Sequence, residues 1–135
     1  MKEKILFVGL NKDEQNVYTK QFFNKYDLNF VQNVAIANTV INTVKQINNN
    51  GSFLYKAVVY TMKESDKTAV DTIKKLKQLN EESSIIVIAS ANSFELEKSV
   101  RGLGILYYFV GPFDLNDLDK LLQAAVSAWD RKFTY

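Results

Sequence analysis

The sequence predicts an α/β domain in which helices cover both faces of a parallel β-sheet. Four segments are continuously apolar and rich in Val, Ile and Tyr, as strands are when both of their faces are buried. They are residues 5–10, 57–62, 85–89 and 106–110. A fifth segment, residues 28–34, alternates between two sets of side chains and is predicted to be an edge strand.

Stretches with helical spacing separate and follow these strands. The clearest apolar stripe runs from Ala37 to Ile47 and ends before Asn50 and Gly51, a good C-terminal stop. Asp114 is a suitable N-cap for the last helix. Strand and helix alternate five times, and each connection is long enough for a crossover, so a parallel sheet with five helices is expected.

Composition excludes several kinds of chemistry. The chain contains no cysteine and no histidine, which removes thiol nucleophiles, disulfides and the commonest general base and metal ligand. The 17 basic and 15 acidic residues give a net charge of +2, which is too balanced to favour nucleic acid or an anionic membrane. The apolar run at residues 5–8 is too short for a signal peptide or a membrane span. We therefore expect residues 1–135 to form one soluble, cytoplasmic domain.

Ligands of an open parallel sheet collect at the carboxyl ends of its strands. The loop after the first strand has one glycine, so it forms neither a P-loop nor a dinucleotide-binding turn. Among the residues at these ends, Lys63 alone is charged; the others are Gly9, Leu10, Asn11, Thr61, Met62, Ala89, Ser90, Ala91, Gly111, Pro112 and Phe113. The densest basic stretch, Lys74, Lys75 and Lys77, is predicted to be a solvated helix face.

This layout resembles the response-regulator receiver domain. The resemblance covers nearly the whole chain and rests on the strand spacing, on Gly104 before the fifth strand and on the late Pro112-Phe113 pair. It implies a flavodoxin-like, CheY-like doubly wound sheet of five strands in the order 2-1-3-4-5. It also makes Pro112 a candidate for a cis peptide bond.

Receivers accept a phosphoryl group on an aspartate, with an acidic pair, a hydroxyl and a lysine nearby. The resemblance places the acidic pair on Gly9 and Leu10, the phosphoacceptor on Thr61, the hydroxyl on Ala89 and the lysine on Gly111. All charged members of that site are therefore missing. Mg²⁺ usually needs at least one carboxylate, and a transferring phosphoryl group needs its charge neutralised. We expect a degenerate site without metal or cofactor.

Four nearby acids are possible substitutes for a metal site, although helix capping or exposure to water is the expected role for them. They are Asp13, Glu14, Glu64 and Asp66. Thr61 and Ser90 are poor kinase targets, because the ends of strands should be mostly buried.

The leading hypothesis is a phosphorylation-independent module that binds a protein partner or a second copy. The resemblance assigns this role to the surface formed by the fourth helix, the fifth strand and the fifth helix. The expected residues there are Glu97, Arg101, Tyr108, Asp117 and Leu121, joined by Trp129, Phe133 and Tyr135. The alternative for Trp129 is that it closes the core. The resemblance also makes Tyr108 the aromatic switch position, and its orientation, inward or outward, stays open.

The alternative is a small-molecule sensor. The neutral residues Gly9, Leu10, Thr61, Ala89 and Gly111 would line a shallow cleft at the strand ends that admits a planar or neutral ligand. We do not expect an enzyme, because no Asp, Glu, Lys or Tyr side chain converges on this cleft. Binding of nucleic acid is not expected either.

Overall fold

The computed structural model describes residues 2–33, 35–36, 38–39, 55–62, 66–79, 83–89, 94–111 and 114–133. Five strands form one parallel sheet: β1 (Glu3–Val8), β2 (Tyr26–Val31), β3 (Ala57–Met62), β4 (Ser84–Ala89) and β5 (Tyr107–Val110). Their order is β2-β1-β3-β4-β5, which confirms the predicted topology. The alternating strand β2 is an edge strand, as predicted, and β5 is the other edge.

Four helices lie in the described residues, against the five predicted: α1 (Lys12–Phe22), α2 (Asp66–Leu79), α3 (Phe94–Arg101) and α4 (Leu115–Phe133). The predicted helix between β2 and β3 is helical at residues 35–36 and 38–39. The rest of that stretch lies outside the described residues. Helices α2, α3 and α4 are therefore the third, fourth and fifth helices of the sequence prediction.

Two helices begin where polar side chains satisfy their first free backbone N–H groups. At α1, the Asn11 side chain accepts a hydrogen bond from the Glu14 amide at 2.8 Å, and the Glu14 carboxylate accepts one from the Asn11 amide at 3.0 Å. At α4, the Asp114 carboxylate accepts a hydrogen bond from the Asn116 amide at 2.9 Å. The predicted role of Asp114 as an N-cap is confirmed.

The strands bury side chains on both faces, as their continuous apolar sequences predict. In β1, Leu6 and Val8 join the core layer beneath α2 and α3, whereas Ile5 and Phe7 join the layer beneath α1 and α4. Phe7 is fully buried and contacts Tyr18 of α1 edge-on. Burying a side chain of this size contributes about 1.5–3 kcal/mol.

A cluster of charges closes the amino-terminal edge of the sheet. The Lys56 ammonium lies 2.6 Å from the Glu3 carboxylate and 2.8 Å from that of Asp130. It also lies 4.7 Å from the centre of the half-buried Trp129 ring. Burial alone would lower the pKa of Lys56, but the two carboxylates raise it overall, so Lys56 keeps its charge. Trp129 thus packs at the edge opposite the predicted cleft.

A second polar cluster joins β2 to α4. The buried Asp119 carboxylate accepts a hydrogen bond from the Tyr26 hydroxyl at 3.0 Å and pairs with the Lys25 ammonium. Burial alone would raise the pKa of Asp119, but these two donors outweigh it and hold the pKa below its usual range. Burial, together with the neighbouring carboxylate, raises the pKa of Tyr26, so its hydroxyl remains a donor.

We predict that Asp119→Asn lowers the free energy of unfolding by about 1–3 kcal/mol, because hydrogen bonds to a charged group are lost. The control Asp27→Asn, at an exposed position on β2, should change it by less than about 0.5 kcal/mol. Urea unfolding of the three proteins measures both effects.

The lowered pKa of Asp119 predicts that its contribution to the free energy of unfolding depends on pH. Because the pKa of Asp119 is lower in the folded state, its stabilisation is complete above the usual carboxyl pKa and is lost as pH falls through the lowered value. The difference in unfolding free energy between the wild type and Asp119→Asn should therefore shrink at acidic pH. A difference that stays constant down to acid unfolding would contradict this assignment.

Candidate functional site

The carboxyl ends of the strands bring the predicted site positions to one edge of the sheet. Gly9 directly follows β1 and Gly111 directly follows β5. Thr61 is the penultimate residue of β3, and Ala89 is the last residue of β4. Pro112 lies outside the described residues.

Gly9 is held in a conformation that excludes a side chain. Its φ angle is +96°, and an ideal Cβ atom built there would lie 2.6 Å from the Thr61 carbonyl oxygen. Its amide donates a hydrogen bond to the Val31 carbonyl at 3.0 Å, which ties the end of β1 to the end of β2. A carboxylate at this position would require the backbone to move.

The Thr61 hydroxyl is buried, as the sequence predicts. Its oxygen is inaccessible to solvent and has no hydrogen-bond partner among the residues that the structure describes. A buried polar group without a partner costs about 1–3 kcal/mol. Ser90, the other hydroxyl considered, lies outside the described residues.

The other three predicted positions differ in their surroundings. Leu10 is buried in the core layer of α1 and α4, and Ala89 in that of α2 and α3. The Gly111 amide donates to the Ala89 carbonyl at 2.9 Å. An ideal Cβ atom at Gly111 would lie 3.7 Å from the nearest atom, an ordinary contact, so this position has room for a side chain.

The acids considered as substitute metal ligands do not converge on this edge in the described part of the chain. Glu14 caps α1 and Asp13 is exposed beside it. Glu64 and the side chain of Asp66 lie outside the described residues. Within the described residues, no group of three or more His, Cys, Asp or Glu side chains is placed to hold a metal ion.

A cavity of about 440 Å³ adjoins Gly9 and Thr61. It lies between the end of β1, the residues that follow β2, the end of β3 and one side of α2. The described residues that line it are Val8, Gly9, Gln32, Asn33, Tyr60, Thr61, Thr68, Asp71, Thr72 and Lys75. Gly9 and Thr61 are the predicted cleft positions in its described lining, which also extends to residues after β2 and to α2; Leu10, Ala89 and Gly111 are not among its described lining.

Helix α2 contributes four of the lining residues, of which the sequence prediction singled out Lys75 alone. Thr68, Asp71, Thr72 and Lys75 recur at i, i+3, i+4 and i+7, the spacing of one helix face. This polar stripe runs beside the apolar stripe that packs into the core. Lys75 is exposed, in keeping with a solvated helix face, and it also lines the cavity, whereas the exposed Lys74 is not among its described lining.

A second surface gathers four residues around β5. Tyr108 points inward and is 3% exposed, whereas its neighbour Tyr107 is 42% exposed. The Arg101 guanidinium lies 6.0 Å from the centre of the Tyr107 ring and 5.9 Å from that of Tyr108. The Glu97 carboxylate holds this guanidinium at 3.2 Å. We call these four residues, together with the exposed Leu106, the β5 surface.

The two predicted interface residues of α4 differ in burial. Leu121 is half-buried and packs against the core layer of α1 and α4, and Asp117 is exposed. The side chain of Phe133 and all of Tyr135 lie outside the described residues. No described helix is both long and apolar enough to cross a membrane.

We predict that Gly9→Ala lowers the free energy of unfolding by about 1–3 kcal/mol from its φ angle alone, with a further cost from the contact with the Thr61 carbonyl. Gly111→Ala is the matched control and should change it by less than about 0.5 kcal/mol. Thermal or urea unfolding tests both, and equal effects at the two glycines would refute the close approach.

Comparison with known proteins identifies the fold. No protein-family model matches the sequence, and no curated protein matches it. Among solved structures, a CheY-like response regulator receiver domain protein from Methanospirillum hungatei JF-1 is 16% identical, with a TM-score of 0.72 over 98% of this chain and 99% of that one.

Two further structures are similar. The signal receiver domain of an HD domain-containing protein from Pseudomonas fluorescens Pf-5 is 14% identical, with a TM-score of 0.76 over 97% of this chain and 91% of that one. An adenylate cyclase structure from Rhodopirellula baltica is 13% identical, with a TM-score of 0.79 over 96% of this chain and 91% of that one. The chain has the fold of response-regulator receiver domains.

Proposed function

We propose that residues 1–135 form a receiver-like signalling module that acts by protein–protein interaction and without phosphorylation. The observation that carries the proposal is the β5 surface, where exposed apolar and aromatic groups surround an arginine that is held in place. The neutral strand ends support independence from phosphorylation. Protein–protein interaction and independence from phosphorylation are tested separately.

Independence from phosphorylation follows from the chemistry of the strand ends. Gly9 and Leu10 provide no carboxylate for Mg²⁺, and the strained backbone at Gly9 leaves no space for one. Thr61 has no carboxylate that could accept a phosphoryl group, and its hydroxyl is buried. Gly111 provides no positive charge to stabilise a transferring phosphoryl group. None of Gly9, Leu10, Thr61 and Gly111 therefore offers a group that supports a step of phosphoryl transfer.

The β5 surface has the features of an interface anchor. Tyr and Arg are the residue types that most often dominate binding energy, and fixing a side chain before binding lowers the entropy cost. Glu97 and the two tyrosine rings restrain Arg101, while Leu106 and Tyr107 leave apolar area open to a partner. Strand β5 is also an edge of the sheet. The partner is a protein, either another chain or a second copy of this one.

The inward position of Tyr108 supports a module that holds one state. A receiver is expected to couple an aromatic switch residue to a phosphoryl group, and Gly9, Leu10, Thr61 and Gly111 offer no side chain that carries one. We propose that the inward Tyr108 and the restrained Arg101 keep the β5 surface permanently in one arrangement, unless a partner shifts it.

A second candidate function is a small-molecule sensor. The observation that favours it is the cavity of about 440 Å³ beside Gly9 and Thr61, which lies within the size range of small-molecule sites. The two functions use different surfaces, so they are compatible.

We predict that Tyr107→Ala and Arg101→Ala each weaken binding to the protein partner at least tenfold, because they remove anchors of the β5 surface. The protein is first examined by light scattering for self-association and by pull-down for a partner, and the affinity is then measured by calorimetry. Phe23→Ala removes a comparably exposed aromatic side chain at the end of α1 and should leave the affinity unchanged. Unaltered binding by both β5 variants would refute this placement of the interface.

A further inference from the structure

The cavity between β2 and α2 has the size of a site for a small metabolite. Its volume of about 440 Å³ corresponds to roughly fifteen water molecules at about 30 Å³ each. The cavity is bounded by Val8 and Gly9 at the end of β1 on one side and by the polar stripe of α2 on the other.

Most of the lining side chains are neutral hydrogen-bonding groups. Gln32 and Asn33 contribute amides, and Thr68 and Thr72 contribute hydroxyls, so both donors and acceptors are present. The aromatic residue in the described lining is Tyr60, which is only 3% exposed and offers no open ring face. This lining favours a polar ligand over an apolar one or a planar ring that needs stacking.

Two opposite charges complete the lining. Asp71 and Lys75 lie one helical turn apart on the same face of α2, where Cβ atoms are about 5–6 Å from each other. Neither side chain forms a salt bridge with a described residue. A ligand with a single charge would pair with one of these two residues and would also lie beside the other, whose charge has the same sign as that of the ligand. A ligand that carries both an ammonium and a carboxylate can pair with both residues.

A phosphorylated ligand or a metal ion fits this lining poorly. A single lysine stands next to a carboxylate, and the turn after β1 contains one glycine rather than a run of free amides. Asp71 is the sole carboxylate in the described lining, which is too few for a hard divalent cation without further ligands.

We propose that this cavity binds a small zwitterion of amino-acid size. The ammonium group lies against Asp71 and the carboxylate against Lys75, while the amides and hydroxyls of Gln32, Asn33 and Thr72 hydrogen-bond the remaining polar atoms. This proposal rests on the second candidate function, small-molecule sensing, and names the ligand class for it. It does not depend on the β5 surface.

The test is titration of the ¹⁵N-labelled chain with each of the twenty free amino acids, followed by calorimetry for any that bind. At least one should give saturable shifts of the Gln32, Asn33 and Thr72 amides. Its amide and N-acetyl derivatives, each of which lacks one charge, should bind at least tenfold more weakly. Asp71→Asn and Lys75→Gln should each weaken binding at least tenfold, and Lys74→Gln should have no effect.

Three outcomes would overturn the proposal. The first is that no amino acid shifts these resonances, and the second is that binding survives both charge variants unchanged. The third is that neutral sugars or nucleosides, titrated in parallel, bind in the cavity while zwitterions do not. The third outcome refutes the ligand class and leaves small-molecule sensing intact. Because Asp71 and Lys75 are exposed, both variants should fold, and their melting temperatures verify this.

Discussion

The close approach of the Gly9 backbone to the Thr61 carbonyl determines what the carboxyl edge of this sheet is able to do. With φ at +96° and a Cβ atom excluded, β1 ends without a side chain at the point where three strands meet. The Gly9 amide bonds to Val31 of β2, so all three strand ends are fixed together. A side chain at this position would have to displace the Thr61 carbonyl. We propose that the domain instead uses its flanks, the cavity beside α2 and the β5 surface.

Most of the fold is predictable from the sequence, because burial on both faces leaves a direct pattern in the strands. Successive residues of β1, β3 and β4 are apolar, and their side chains alternate between the two core layers. Strand β2 begins at Tyr26, earlier than its sequence pattern indicates, because Tyr26 pairs with Glu3 and its hydroxyl reaches Asp119. That contact joins residues 93 positions apart, which local periodicity does not reveal.

The site was only partly predictable. Sequence reasoning identifies Gly9 and Thr61 because residues at the ends of parallel strands meet at one edge whatever their side chains. It misses the contribution of α2, since the stripe of Thr68, Asp71, Thr72 and Lys75 is typical of any solvated helix face. Only the placement of α2 against the end of β2 turns that face towards a cavity. Similarly, no local pattern distinguishes Gly9, which has no room for a Cβ atom, from Gly111, which has.

We propose that this receiver fold works without a phosphoryl group. An NMR titration of the labelled protein with Mg²⁺ and beryllofluoride, a mimic of the phosphoryl group, tests this. We expect no saturable shifts at Gly9, Thr61 or Gly111, and no change at Tyr107 or Tyr108. Saturable, magnesium-dependent shifts that converge on Gly9, Thr61 and Gly111 would contradict the account.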